Sequence, residues 1–137
     1  MSQTNPKCQV HALDHLVLTV ADIAVTVQFY TKALGMRAAQ FASADGETRW
    51  ALNFGSTKIN LHQHRREFEP KAARPTPGSA DLCFLTHTSL DDWRAHFDAQ
   101  NITIETGPVA RTGATGPITS LYIRDPDQNL IEVSVQN

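Results

Sequence analysis

Cysteine is scarce in this chain: Cys8 and Cys83 are the only two among 137 residues, and they form no CxxC pair. That excludes a disulfide-stapled scaffold or a cysteine zinc module, and leaves two free thiols of a reducing compartment. No apolar run nears the roughly 20 residues that a membrane-spanning helix needs. The polar start Met1-Ser2-Gln3-Thr4-Asn5-Pro6-Lys7 lacks the apolar centre of a secretory signal. A cytoplasmic location with no membrane partner is therefore expected. Excess charge is missing too, since twelve Lys and Arg against fourteen Asp and Glu leave a net −2. Nucleic-acid binders are usually strongly basic, so no nucleic-acid partner is expected. Seven Gly and seven Pro are too few for a collagen-like or low-complexity chain.

What is present suits one ordinary domain spanning 1–137, with 41% hydrophobic residues to form its core. Leu13 to Val20 reads as a buried strand. Asp22 then caps a helix with its apolar stripe at Ile23, Val27, Tyr30 and Leu34, and Gly35 stands just past its end. Strand-like runs follow at about 36–43, 48–54 and 57–63. Arg65 to Ser79, with three prolines, reads as a linker. The pattern then repeats. Ala80 to Thr86 is a strand, and Ser89 with Asp92 opens a helix striped by Leu90, Trp93 and Phe97. A short strand at 102–105, a glycine-rich loop from Gly107 to Pro117, and strands at 119–124 and 129–135 complete it. The last two are joined by the turn Asp125-Pro126-Asp127-Gln128-Asn129.

Each half is thus strand, helix, then strands. The expected class is α+β, with two tandem βαβββ modules (11–64 and 80–135, joined by linker 65–79) forming a cupped mixed sheet with helices on its outer face. Residues two apart on a strand share a face. Asn60, His62 and His64 therefore oppose Ile59 and Leu61, and Glu132 and Ser134 oppose Ile131, Val133 and Val135. His15 and Asp81 occupy matching places on the opening strands. Four strands each offer a polar residue where a packed sheet wants an apolar one. Imidazoles with carboxylates are a ligand set for Ni, Zn, Mn or Fe(II), so a divalent metal is the expected cofactor, its identity left open. A single His or Glu on a half-exposed strand is more often merely solvated; the repetition is what favours a site.

Three segments carry a family resemblance: 13–20 (LDHLVLTV), 29–36 (FYTKALGM) and 122–133 (YIRDPDQNLIEV). The chain resembles the vicinal oxygen chelate superfamily of glyoxalases, bleomycin-resistance proteins and extradiol dioxygenases. Asn60-Leu61-His62, 67–72 (EFEPKA), Pro77-Gly78-Ser79 and 111–114 (RTGA) are most similar to its glyoxalase domain-containing protein 5 branch. The resemblance implies metal ligands at His15 and Glu132, with His62 substituting for Asn60, which stands where glyoxalases carry a carboxylate. Asp81 stands where a second His is usual. The implied set is His15, His62, Asp81 and Glu132. The implied activity is a glyoxalase I-like, metal-dependent lyase or isomerase, in which a small oxygen-rich substrate chelates the ion through two oxygens and Glu132 is the catalytic base. An extradiol-type dioxygenase and a metal-free binding or resistance protein are the alternatives.

Asn60, Arg111, Tyr122 and Arg124 are the candidate substrate-binding residues. The linker nets +2 from Arg65, Arg66, Lys71 and Arg74 against Glu67 and Glu69, which suits an anionic substrate or simply a solvated connector. His87 and His96 read as surface residues of the second helix. A lone βαβββ half closes only half a trough, so halves must pair, within one chain or across a homodimer. The expectation is a homodimer in which His15 and His62 of one chain meet Asp81 and Glu132 of the other.

Overall fold

The computed structural model describes residues 5–137. The first module holds β1 (His15–Val20), α1 (Ile23–Leu34), β2 (Arg37–Ala42), β3 (Thr48–Phe54) and β4 (Thr57–Gln63). The second holds β5 (Asp81–Leu85), α2 (Leu90–Ala99), β6 (Thr106–Thr112), β7 (Pro117–Arg124) and β8 (Leu130–Gln136). The mixed sheet is two four-stranded sheets, ordered β1-β4-β3-β2 and β5-β8-β7-β6. In each, the opening strand pairs parallel with the closing strand and the remaining pairs are antiparallel. The two orders are identical once β1 is matched to β5. That is the expected repeat.

Local chemistry sets the helix ends. The Asp22 carboxylate accepts from the Val25 amide, and Gly35 closes α1 at φ +70°, a conformation that costs glycine little. Ser89 accepts from the Asp92 amide, with Asp91 and Asp92 in the positive first turn of α2. Leu18, Val20, Leu52, Ile59 and Leu61 of one sheet join Leu121, Ile123, Ile131 and Val133 of the other in one core, with Tyr30 and Phe97 from the helices. Burying each large apolar side chain contributes about 1.5–3 kcal/mol. The strand faces turned away from this core are left for the site.

Two expectations need correcting. Residues 102–105 are not a strand; β6 lies at Thr106–Thr112, inside the expected loop. Its pairing with β7 slips between Thr106 and Val109, so the glycine at 107 marks an irregular strand rather than its absence. Ile102 and Ile104 pack on the core without a ladder partner. His96 is half-buried rather than free at the surface: its Nε2 lies 3.1 and 3.0 Å from the Lys32 and Ala33 carbonyls. It thereby ties α2 to the last turn of α1.

Candidate functional site

The register assigns each side chain to a face. On the first sheet His15 pairs with Lys58, Val17 with Asn60 and Thr19 with His62. On the second, Asp81 pairs with Leu130 and Cys83 with Glu132, while Tyr122 flanks Glu132 from β7. These residues occupy the faces opposite the core. His15 with Asn60, and Asp81 with Glu132, are corresponding diagonal pairs of the two modules.

Glu132 is the best-supported side chain of the second sheet. The buried Ser120 hydroxyl donates to its Oε2 at 2.5 Å, and the Ser134 hydroxyl lies 3.4 Å from the same oxygen. Ser120 and Ser134 are 2.7 Å apart, and Cys83 Sγ is 3.3 Å from Ser134 Oγ. Glu132 makes no ion pair among the described residues, so a half-buried carboxylate is held by neutral donors. Burial, outweighing the Ser134 hydrogen bond, pushes the Cys83 thiol upward; the Glu132 charge acts in the same direction. Arg111 Nε donates to the Tyr122 hydroxyl at 2.9 Å.

On the first sheet His15 Nδ1 lies 2.8 Å from Asp14 Oδ2, leaving Nε2 free. Asn60 Oδ1 is buried without a hydrogen-bond partner among the described residues. His62 is buried, its ring edge-on to Phe68 at 5.6 Å, and the Arg49 guanidinium lies over Phe68 at 3.0 Å. Burial, then the Arg49 charge, lowers the His62 pKa below the ordinary imidazole range. The segment 65–79 is more than a linker. The His64 amide bonds the Val20 carbonyl at 2.8 Å, and Pro70, Lys71, Ala72 and Pro75 close over Val17, Thr19 and His62.

A family model described as the glyoxalase/bleomycin resistance protein/dioxygenase superfamily matches residues 12–133. The chain belongs to that superfamily. This member is 58% identical over 122 residues to virulence protein STM3117 of Salmonella typhimurium, covering 89% of this chain and 82% of that one. The solved integron cassette protein VCH_CASS1 from the V. cholerae mobile metagenome is 58% identical, with a TM-score of 0.89 over 95% of this chain and 98% of that one. Two solved structures share the fold at lower identity. Lactoylglutathione lyase of Agrobacterium tumefaciens is 22% identical, with TM-score 0.67 over 93% of this chain and 95% of that one. TnmS3, an antibiotic binding protein from Streptomyces sp. CB03234, is 18% identical, with TM-score 0.72 over 95% and 99%.

In this superfamily member the four expected ligands stand on two sheets. Among the described residues no three His, Cys, Asp or Glu side chains gather as a metal site within one chain. His15 and His62 are offset by four residues in the parallel register, about 13 Å along the strand. With metal–nitrogen bonds of about 2 Å, two imidazoles of one chain so far apart do not reach one ion. His62 therefore does not stand in for Asn60 beside His15. Asp81 is exposed and close to Glu132 on the diagonal. Arg124 is engaged by Glu105, at 3.0 and 3.1 Å, and by the Gln128 carbonyl. Lys71 of the cationic segment is paired with Glu69 at 3.0 Å.

Sequence reasoning missed Ser120, Asp14 and Thr19. Ser134 alternates with Glu132 and is legible on its own strand; Ser120 meets Glu132 only through the β7–β8 register. No helix among the described residues is long and apolar enough to cross a membrane.

Proposed function

We propose that this chain is a metal-dependent lyase or isomerase of the glyoxalase type, acting on a small oxygen-rich molecule. We place it in the glyoxalase domain-containing protein 5 branch, as one domain of modules 11–64 and 80–135. The observation that carries the reading is Glu132, a half-buried carboxylate oriented by Ser120 at 2.5 Å with no cation of its own. The donor types fit a first-row divalent ion: His15, its Nδ1 held by Asp14 as metal-binding imidazoles usually are, with Asp81 and Glu132. Asn60, its Oδ1 buried without a hydrogen-bond partner among the described residues, faces the same trough and supports a polar ligand there.

Because these donors lie on separate sheets, the reading includes a homodimer in which His15 of one chain meets Asp81 and Glu132 of the other. His15, Asp81 and Glu132 would hold a divalent ion there, which would supply Lewis-acid stabilisation of charge developing on the substrate. Once off the ion, Glu132 would take the proton alpha to a carbonyl, with Ser120 orienting the accepting carboxylate. Tyr122, positioned by Arg111, flanks the substrate beside Glu132.

Untagged protein purified without chelator tests the reading. About one Ni, Zn, Mn or Fe(II) per chain, recoverable after stripping, supports it. Less than about a tenth of an equivalent that no added metal restores favours the second reading, a metal-free binder; the fold shared with TnmS3 supports that alternative. Oxygen uptake with catechols would identify an extradiol-type dioxygenase instead.

A further inference from the structure

The first sheet carries a second feature, four residues beyond His15. A cavity of about 240 Å³ lies between the ends of β1 and β4 and the overlying segment 65–79. Its floor is Val17, Thr19 and His62; its roof is Pro70, Lys71 and Pro75. Complete small-molecule sites run to about 300–1,000 Å³, so a space this size takes one ring or short arm of a ligand.

The roof is held in place. Phe68 inserts between Arg49, 3.0 Å from its ring centre, and the His62 ring, while Arg49 is itself paired with Asp45 at 2.9 Å. The cation that lines the cavity, Lys71, is already paired with Glu69. That argues against a carboxylate or phosphate as occupant. The polar groups left on the floor are the Thr19 hydroxyl and the His62 imidazole, which make no side-chain hydrogen bond among the described residues. Each can donate or accept. Val17 and the two prolines offer flat apolar surfaces, and the Lys71 stem adds methylenes while its head stays in solvent.

We infer that this strapped cavity, floored by Thr19 and His62 and roofed by Pro70 to Pro75, binds an uncharged ring bearing a hydroxyl group. The ring lies between Val17 and the prolines, and its hydroxyl meets Thr19 and His62. This subsite goes beyond the metal reading and does not depend on it. His62 acquires a role here that its distance from His15 denies it at the ion.

The test uses phenol and benzoate as probes, titrated into the full-length chain with EDTA present and followed by backbone amide and histidine-ring NMR. Phenol is expected to give saturable shifts at Thr19, His62 and Ala72, with benzoate binding more weakly. His62→Phe keeps the contact with Phe68 and Thr19→Val keeps the shape; each is expected to weaken phenol at least about fivefold. Should His62→Phe fail to fold, the near-isosteric Thr19→Val carries the test alone. Absence of saturable shifts at these residues, unchanged affinity in the folded variants, or tighter binding of benzoate overturns the inference. Because metal is chelated throughout, failure here is separable from failure of the metal reading.

Discussion

The Tyr30 hydroxyl donates to Asp125 Oδ2 at 2.7 Å, joining the first helix to a turn 95 residues away in the other module. Asp125 also accepts from the Asp127 and Asn129 amides and the Asn129 side chain, and Asn129 in turn accepts from the Ala80 amide. Burial, then the Asp125 charge, drives the Tyr30 hydroxyl far above its ordinary pKa, so it stays a donor throughout the working range. This cluster holds the start of β8, and hence Glu132, relative to α1. Hydrogen bonds to charged groups contribute about 1.5–3 kcal/mol, so Tyr30→Phe is expected to lower unfolding free energy by about that amount. Asp125→Ala, which strands several donors, should cost more. Urea unfolding checks both.

Arg124 acts on the same turn through charge. Its hydrogen bond holds the Glu105 carboxyl below the usual carboxylate range. A folded-state pKa below the unfolded value means stability that is present above the unfolded pKa and lost as pH falls through the folded one. Carboxylate NMR should show Glu105 titrating below ordinary glutamates in the wild type, and returning toward them in Arg124→Gln. A Glu105 titration identical in both proteins would break the assignment.

Metal binding should respond to residues that touch no ion. Asp14 holds His15 Nδ1 and Ser120 holds Glu132 Oε2. Losing such outer partners typically costs about 10–100-fold in metal affinity. Asp14→Asn and Ser120→Ala are expected to fall in that range by competitive chelator titration, with the fold intact by circular dichroism. Glu132→Gln should abolish turnover once a substrate is found; retained turnover would remove Glu132 as the base.

The dimer has its own test. Leu85 is a large apolar side chain on the trough face of the second sheet, 59% exposed in a single chain. Leu85→Glu would bury a charge in the proposed interface at high cost. Light scattering at micromolar concentration should give a dimer for the wild type and a monomer for Leu85→Glu. A monomeric wild type would defeat the arrangement.

Much of this protein was legible in one dimension. Asp22 and Gly35 bracket α1 because a cap and a left-handed stop are local requirements, and the strand alternation placed Asn60 and Glu132 opposite their apolar neighbours for the same reason. β6 is hidden in the sequence because Gly107 and Pro108 look like a loop, while β7 supplies ladder partners from Val109 on. His96 reads as exposed because nothing near it in sequence reveals the α1 carbonyls it meets.

Periodicity, capping and repetition, all local or self-similar signals, determined the two-module plan and the side chains offered to the trough. Register and packing decided the rest. They placed His62 about 13 Å along the strand from His15, gave Glu132 its serine on β7, and folded residues 65–79 over β1 and β4. Such pairings join residues far apart in sequence, and their geometry exists only once the sheets have formed.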